Sequence, residues 1–209
     1  MQKEPMGKHL TIRVLLISIA LIFIAFVTIQ VFDAGHWAKA DSPKLERLFE
    51  DMGVLELPQN TDPVEIRLQD INGNLVSLSD FRGRIVFLNF WTTWCPTCRV
   101  EMPSMEKLHQ KFKDQDFAVV TVNIQESAAQ VEKFYKNFKL TFTALLDTTG
   151  EVAIGFRIRS IPTTFILDKS GRIIGTIMGP REWDGKKAVS LFEHLINKYE
   201  ATSTQITTQ

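Results

Sequence analysis

Apolar positions recur along this chain with three different periods, and each period predicts a different kind of element. From Val14 to Phe32 the run is uncharged and has no polar face. At 1.5 Å rise per residue, about 19 residues span roughly 29 Å, the depth of a bilayer's hydrocarbon core. Leu45, Leu48, Phe49 and Met52 then share one face of a short amphipathic helix over Pro43 to Met52, which Gly53 ends. Val64, Ile66 and Leu68 alternate with polar residues, as in a half-buried strand. Asn72-Gly73 predicts a type I′ turn into a return strand over Leu75 to Leu78. Ile85 to Trp91 is apolar at nearly every position, the pattern of a central strand covered on both faces.

Helical spacing follows from about Cys95 to Phe112, with Met102, Met105, Leu108 and Phe112 inward and Pro103 predicting a kink. Phe117 to Ile124 is the next strand, so strand, helix and strand form a right-handed parallel crossover. Ser127 and Gln130 make a capping box for a helix whose inner stripe is Val131, Phe134, Tyr135 and Phe138. Phe142 to Leu146 reads as a short strand, Asp147 to Gly150 as a turn, and Val152 to Phe156 as one helical turn. Ile161 to Leu167 is a Pro-initiated strand that turns at Lys169-Ser170-Gly171 into an antiparallel partner, Ile173 to Met178. Asp184 caps a last helix with Ala188, Leu191, Phe192, Leu195, Ile196 and Tyr199 on one face.

The order β-β-β-α-β-α-β-β-β-α predicts an α/β fold, a mixed central sheet with helices on both faces. The expected organisation is a cytoplasmic N-terminus (1–13), a membrane helix (14–32), a linker with the short amphipathic helix (33–63), the α/β domain (64–199) and a Thr/Gln-rich disordered tail (200–209). Lys3, Lys8 and Arg13 precede the apolar run and Asp33 follows it, which keeps the N-terminus inside and puts the rest outside the cytoplasm. The run is long for a cleaved signal, so a retained single-pass anchor in the inner (cytoplasmic) membrane is favoured. The alternative is cleavage after Ala40, within Ala38-Lys39-Ala40, giving a secreted or periplasmic domain. Either route ends where disulfides persist. The 209 residues carry a formal net charge of zero, which gives no electrostatic case for nucleic acid.

Cys95 and Cys98 are the only cysteines. They stand in Trp91-Thr92-Thr93-Trp94-Cys95-Pro96-Thr97-Cys98, between the apolar strand and the helix, where open α/β sheets place their sites. Two thiols at this spacing point to dithiol/disulfide chemistry. A zinc site would need two more ligands, and His9, His36, His109 and His194 are scattered without ligand spacing. No metal or cofactor is expected.

This motif, with Pro103 eight residues after Cys95 and with Ile161-Pro162-Thr163-Thr164-Phe165, resembles the thioredoxin fold. The finer pattern resembles the membrane-anchored TlpA/ResA/CcmG group of extracytoplasmic thiol-disulfide oxidoreductases. It is carried by Asn89-Phe90-Trp91, by Cys98-Arg99-Val100-Glu101-Met102-Pro103 and by Pro-Thr-Thr-Phe, over roughly Val64 to Tyr199. An added strand-helix segment around Asn123 to Phe142 also fits that group, and the expected fold is thioredoxin-like with an N-terminal β-hairpin and that central insertion.

At the helix start, Cys95 is the expected nucleophile, because unpaired N–H groups and the helix dipole favour a thiolate there. Cys98, one turn on, is the expected resolving thiol, the two cycling through a redox-active disulfide. Glu101 lies three residues beyond Cys98 on the same helix face. The resemblance implies an active-site acid there, and a solvated helix glutamate is the alternative. Asn89 stands where cytoplasmic thioredoxins have a buried proton-handling aspartate, and it cannot ionise, which strengthens the case for Glu101. Trp94, Pro96, Thr97, Ile161 and Pro162 are the expected substrate-contacting residues, with the Ile161–Pro162 bond implied to be cis. Trp91 reads as core and Trp183 as structural. Partners implied by the resemblance are protein thiol/disulfide substrates, such as apocytochrome c or metal-centre assembly proteins. The electron donor would be a transmembrane thiol reductase of the DsbD/CcdA type. Three rivals stay open: a thiol peroxidase of the peroxiredoxin class, imitated by Thr92-Thr93-Trp94-Cys95 but with Leu88 where that motif wants proline; a dithiolate metal-binding module; and an oxidant or isomerase, the isomerase disfavoured because no obvious dimerisation domain is present.

Overall fold

The computed structural model describes residues 42–58 and 62–206. The expected anchor at 14–32 lies outside the described residues. Among those described, no helix is long and apolar enough to cross a membrane. Two compact units are delimited, 1–46 and 47–209. The described part of the first is only the opening of helix α1, and the second holds everything below.

The elements are α1 (Ser42–Met52), β1 (Leu55–Glu56), β2 (Arg67–Asp70), β3 (Leu75–Ser77), a 3-10 turn (Leu78–Phe81), β4 (Ile85–Trp91), α2 (Pro96–Phe112), β5 (Phe117–Ile124), α3 (Ala128–Phe138), β6 (Thr143–Asp147), α4 (Glu151–Gly155), β7 (Thr163–Leu167), β8 (Ile173–Met178) and α5 (Lys186–Ile206). One eight-stranded mixed sheet runs β1-β8-β7-β4-β5-β6-β2-β3. All seven residues of β4 are buried, Asn89 included, as its almost wholly apolar pattern leads one to expect.

Strand alternation divides the core. Val86, Leu88 and Phe90 point to one face, with Val120, Val122 and Leu145, and are covered by Ile66, Leu78 and Ala153. Phe87 points to the other face. There it meets Trp183 edge-on at 4.6 Å and Phe192 of α5 at 5.8 Å. Such edge-to-face pairs add about 0.5–1.5 kcal/mol beyond their area. Trp91 packs on Phe134 and Tyr135 of α3, and Phe112 of α2 on Phe117. The long helices α2, α3 and α5 thus make their ring contacts on one face, whereas the other is closed by short pieces.

Four departures from the sequence reading have local causes. The hairpin loop is not a two-residue type I′ turn. Asp70 Oδ1 accepts from the backbone N–H of both Asn72 and Asn74, and the Asp70 N–H reaches Asn74 O, so the loop wraps around one carboxylate. The sheet begins before residue 64, because Leu55 and Glu56 pair with Thr176 and Gly175. A Cβ at Gly175 would lie 2.5 Å from Val54, so only glycine admits that approach. Asp184 does not cap the last helix. Its carboxylate binds Lys107 at 2.7 Å, and α5 opens with the Val189 N–H on Gly185 O. Helix α5 also continues to Ile206, through residues expected to be a disordered tail; Glu200 and Ala201 are good helix formers.

Register gathers several loops at one end. Strand β5 runs parallel to β4, with Asn123 opposite Trp91, and β6 ends with Asp147 opposite Ile124. Strand β7 is antiparallel, so Thr163, just after Pro162, faces Phe90, and Met178 faces Thr163. The segments 92–95, 125–127, 148–150, 160–162 and 179–183 therefore all emerge where β4 ends.

Candidate active site

Cys95 is the N-cap of α2, with Pro96 opening the helix. Its Sγ is disulfide-bonded to Cys98, with the two Cα atoms 5.3 Å apart. The Cys98 N–H donates to Cys95 Sγ at 3.1 Å, and Thr97 Oγ1 lies 3.3 Å from the same sulfur. An unpaired N–H of the first helical turn aimed at a sulfur stabilises that sulfur as a thiolate once the pair is reduced. Cys98 is fully buried, while Pro96 and Thr97 are exposed and Cys95 lies just beneath the surface. The Ile161–Pro162 bond is cis, and Ile161 O lies 3.9 Å from Cys95 Sγ. The Gly179 N–H holds Pro162 O at 2.8 Å. Trp94 is 69% exposed and forms one wall of a groove of about 290 Å³ beside the disulfide, lined also by Ile124, Ala153, Ile154, Ile158 and Ile161.

Glu101 is not a solvated helix glutamate. It is 1% exposed and surrounded by donors. Asn89 Nδ2 donates to Oε1 at 3.1 Å; the Arg181 N–H and Trp183 Nε1–H donate to Oε2 at 3.3 and 2.9 Å. Burial pushes its carboxyl up to about 7, against the three hydrogen bonds that favour the anion. A carboxyl balanced near neutrality, one turn beyond Cys98, is suited to exchanging protons. Asn89 Nδ2 also donates to Thr164 Oγ1 at 3.0 Å, tying β4 to the strand after Pro162.

The structure thus brings together every residue singled out above: Trp94, Cys95, Pro96, Thr97 and Cys98 on one loop and helix start, Glu101 beneath, and Ile161 and Pro162 opposite. It adds three that sequence reasoning missed. Trp183 does more than pack, since its indole N–H holds Glu101. Arg181 contributes a backbone N–H to the same oxygen. Glu126, nearly buried, binds Thr93 in the loop before Cys95. The first two lie some 80 residues from Glu101 in sequence and carry no local signal. Among the described residues, no group of three or more His, Cys, Asp or Glu is placed to hold a metal ion.

Comparison with known proteins agrees with this geometry. Residues 61–175 match the AhpC/TSA family. The chain is 35% identical over 127 residues to the thiol-disulfide oxidoreductase ResA of Bacillus subtilis, covering 61% of this chain and 71% of that one. It is 42% identical over 112 residues to ResA of Geobacillus kaustophilus, covering 54% and 64%, just under two thirds of that relative. Among solved structures, a putative thiol:disulfide interchange protein DsbE from Chlorobium tepidum superposes with TM-score 0.61 at 28% identity, over 67% of this chain and 99% of that one. StoA from Bacillus subtilis superposes with TM-score 0.53 at 33% identity, over 61% and 97%.

Proposed function

Since the chain belongs to the AhpC/TSA family and, within it, is a thiol-disulfide oxidoreductase of the ResA/StoA type with a CxxC pair, we propose that it is a membrane-tethered reductase of protein disulfides acting outside the cytoplasm. The observation that carries the chemistry is the Cys95–Cys98 disulfide at the start of α2, facing the cis Ile161–Pro162 bond. In the reduced protein the Cys95 thiolate attacks a substrate disulfide. A bond forms from Cys95 Sγ to one substrate sulfur, and the other leaves as a thiolate. Cys98 then loses its proton to Glu101 and attacks Cys95 Sγ. The second substrate sulfur is released, and the Cys95–Cys98 disulfide remains. Two electrons pass to the substrate, and a dithiol donor must return them.

The finer assignments rest on the resemblance and the N-terminal pattern. They are an anchor at 14–32 with the catalytic domain on the periplasmic side, apocytochrome c or metal-centre assembly proteins as substrates, and a transmembrane reductase of the DsbD/CcdA type as donor. Trp94, Pro96, Thr97, Ile161 and Pro162 would form the surface that meets the substrate. The AhpC/TSA match favours one second reading, a thiol peroxidase. Steady-state turnover of the purified protein separates the two. A protein disulfide is reduced and hydrogen peroxide is consumed slowly if the reductase reading holds. Rapid peroxide consumption with little disulfide reduction would replace it with the peroxidase.

A further inference from the structure

We propose that Glu126 is a positioning residue for disulfide exchange, acting through Thr93 to set how Cys95 and the Trp94 rim present themselves to a protein substrate. The inference rests on Cys95 being the attacking thiol. Segment 92–94 is the joint between β4 and the helix that carries Cys95. Thr93 is its anchor, because all of its polar groups are engaged. Its N–H and hydroxyl donate to Glu126 Oε2 and Oε1 at 2.7 and 2.5 Å, and its carbonyl accepts from Arg99 Nη1 at 3.2 Å. Trp94 and Cys95 follow directly.

Glu126 is itself held firmly. Asn123 Nδ2 donates to Oε2 at 2.7 Å, and the residue is 7% exposed. The chain reaches it through Gln125, whose φ of +57° turns the backbone sharply at the end of β5, while Ser127 caps α3 on the other side. A side chain between a strained turn and a helix cap has little freedom of its own. Arg99 is fixed from the other direction by its stacking on Phe134 and Phe138 of α3, at 5.5 and 5.3 Å from their ring centres. Thr93 is thus clamped from both sides by groups anchored on α3 or at its entrance.

Glu126 accepts from Thr93 twice and from Asn123, so its role is that of an acceptor with fixed geometry. Glutamine can reproduce that geometry. Its carbonyl oxygen would face the Thr93 N–H and Asn123, and its amide would donate to the Thr93 hydroxyl, which can accept. Alanine removes all three bonds and frees the joint.

The test compares wild type with Glu126→Ala, Glu126→Gln and Thr93→Val in the full chain, using a protein disulfide and the small disulfide 5,5′-dithiobis(2-nitrobenzoate). Glu126→Ala should lower kcat/KM for the protein substrate about tenfold, mostly through KM. The small disulfide, which needs no docking, should slow less than threefold. Glu126→Gln should restore both to within about twofold of wild type. Thr93→Val, which removes one bond and keeps the N–H, should show the same pattern at about threefold and carries the test if the alanine variant does not fold. Equal loss on both substrates, no loss, or failure of glutamine to rescue would overturn the proposal. The reading of Cys95 is checked apart from it: Cys95→Ser retaining disulfide reduction would sink that reading whatever Glu126 does.

Discussion

Glu101 makes stability depend on pH in a direction opposite to that of most carboxylates. Its carboxyl is raised from its ordinary 4.5 to about 7 by burial, so in the folded protein it keeps its proton to higher pH than in the unfolded chain. The folded state is therefore unpenalised below pH 4.5. It loses stability as pH rises from 4.5 to 7 and levels off above that. The full loss is about 3 kcal/mol, the free energy of moving one such proton equilibrium between those two values. Oxidised protein should be used, so that neither thiol titrates. Urea unfolding at pH 4 and pH 8, for wild type and Glu101→Gln, isolates the effect, because other carboxylates contribute alike to both. The difference in unfolding free energy between the two proteins should shift by about 3 kcal/mol across that range, with the variant relatively more stable at pH 8. The amide can be accommodated, since Asn89 Oδ1 is buried without a hydrogen-bond partner and can turn to accept from it. Parallel pH profiles for the two proteins would refute the burial argument and return Glu101 to an ordinary acid.

Two further substitutions probe the ring of donors. Trp183→Phe keeps an aromatic edge against Phe87 but removes the indole N–H on Glu101. It should cost about 1.5–3 kcal/mol at pH 8, where the carboxylate is charged, and clearly less at pH 4, in urea unfolding. A cost independent of pH would assign the tryptophan to packing alone. Arg181→Ala leaves the backbone N–H on Glu101 in place and deletes the guanidinium bonds to Met52 O and Pro180 O, so stability should fall by about 1 kcal/mol at pH 4. The loss should be larger at pH 8, because the guanidinium charge also favours the Glu101 carboxylate; a pH-independent loss would mean that it plays no part in the titration of Glu101.

Much of this could be read from local pattern. The nearly continuous apolar run predicted a doubly covered β4, the Ser127–Gln130 capping box predicted α3, and the cysteine spacing put the disulfide at a strand-helix junction. What local pattern misses is competition for polar groups. Asn72-Gly73 favours a tight turn, but Asp70 offers the N–H groups of Asn72 and Asn74 a better acceptor. Asp184 is a good capping residue, but Lys107 on α2 claims its carboxylate. The site shows the same division. Cys95, Cys98 and Glu101 are linked by helical spacing, which a sequence displays. The donors that tune Glu101 come from β4 and from the segment after β8, and Glu126 reaches Thr93 only because β5 runs parallel to β4. Such contacts follow from sheet order, not from spacing along the chain.

The central claim, that Cys95 attacks and Cys98 resolves, is tested most directly by covalent trapping. Full-length Cys98→Ser and Cys95→Ser variants are incubated with a protein disulfide, quenched with acid and analysed by mass spectrometry. A stable mixed disulfide through Cys95 in the Cys98→Ser variant, with little or none through Cys98 in the Cys95→Ser variant, is the expected result. Equal trapping by both variants, or trapping only through Cys98, would contradict it.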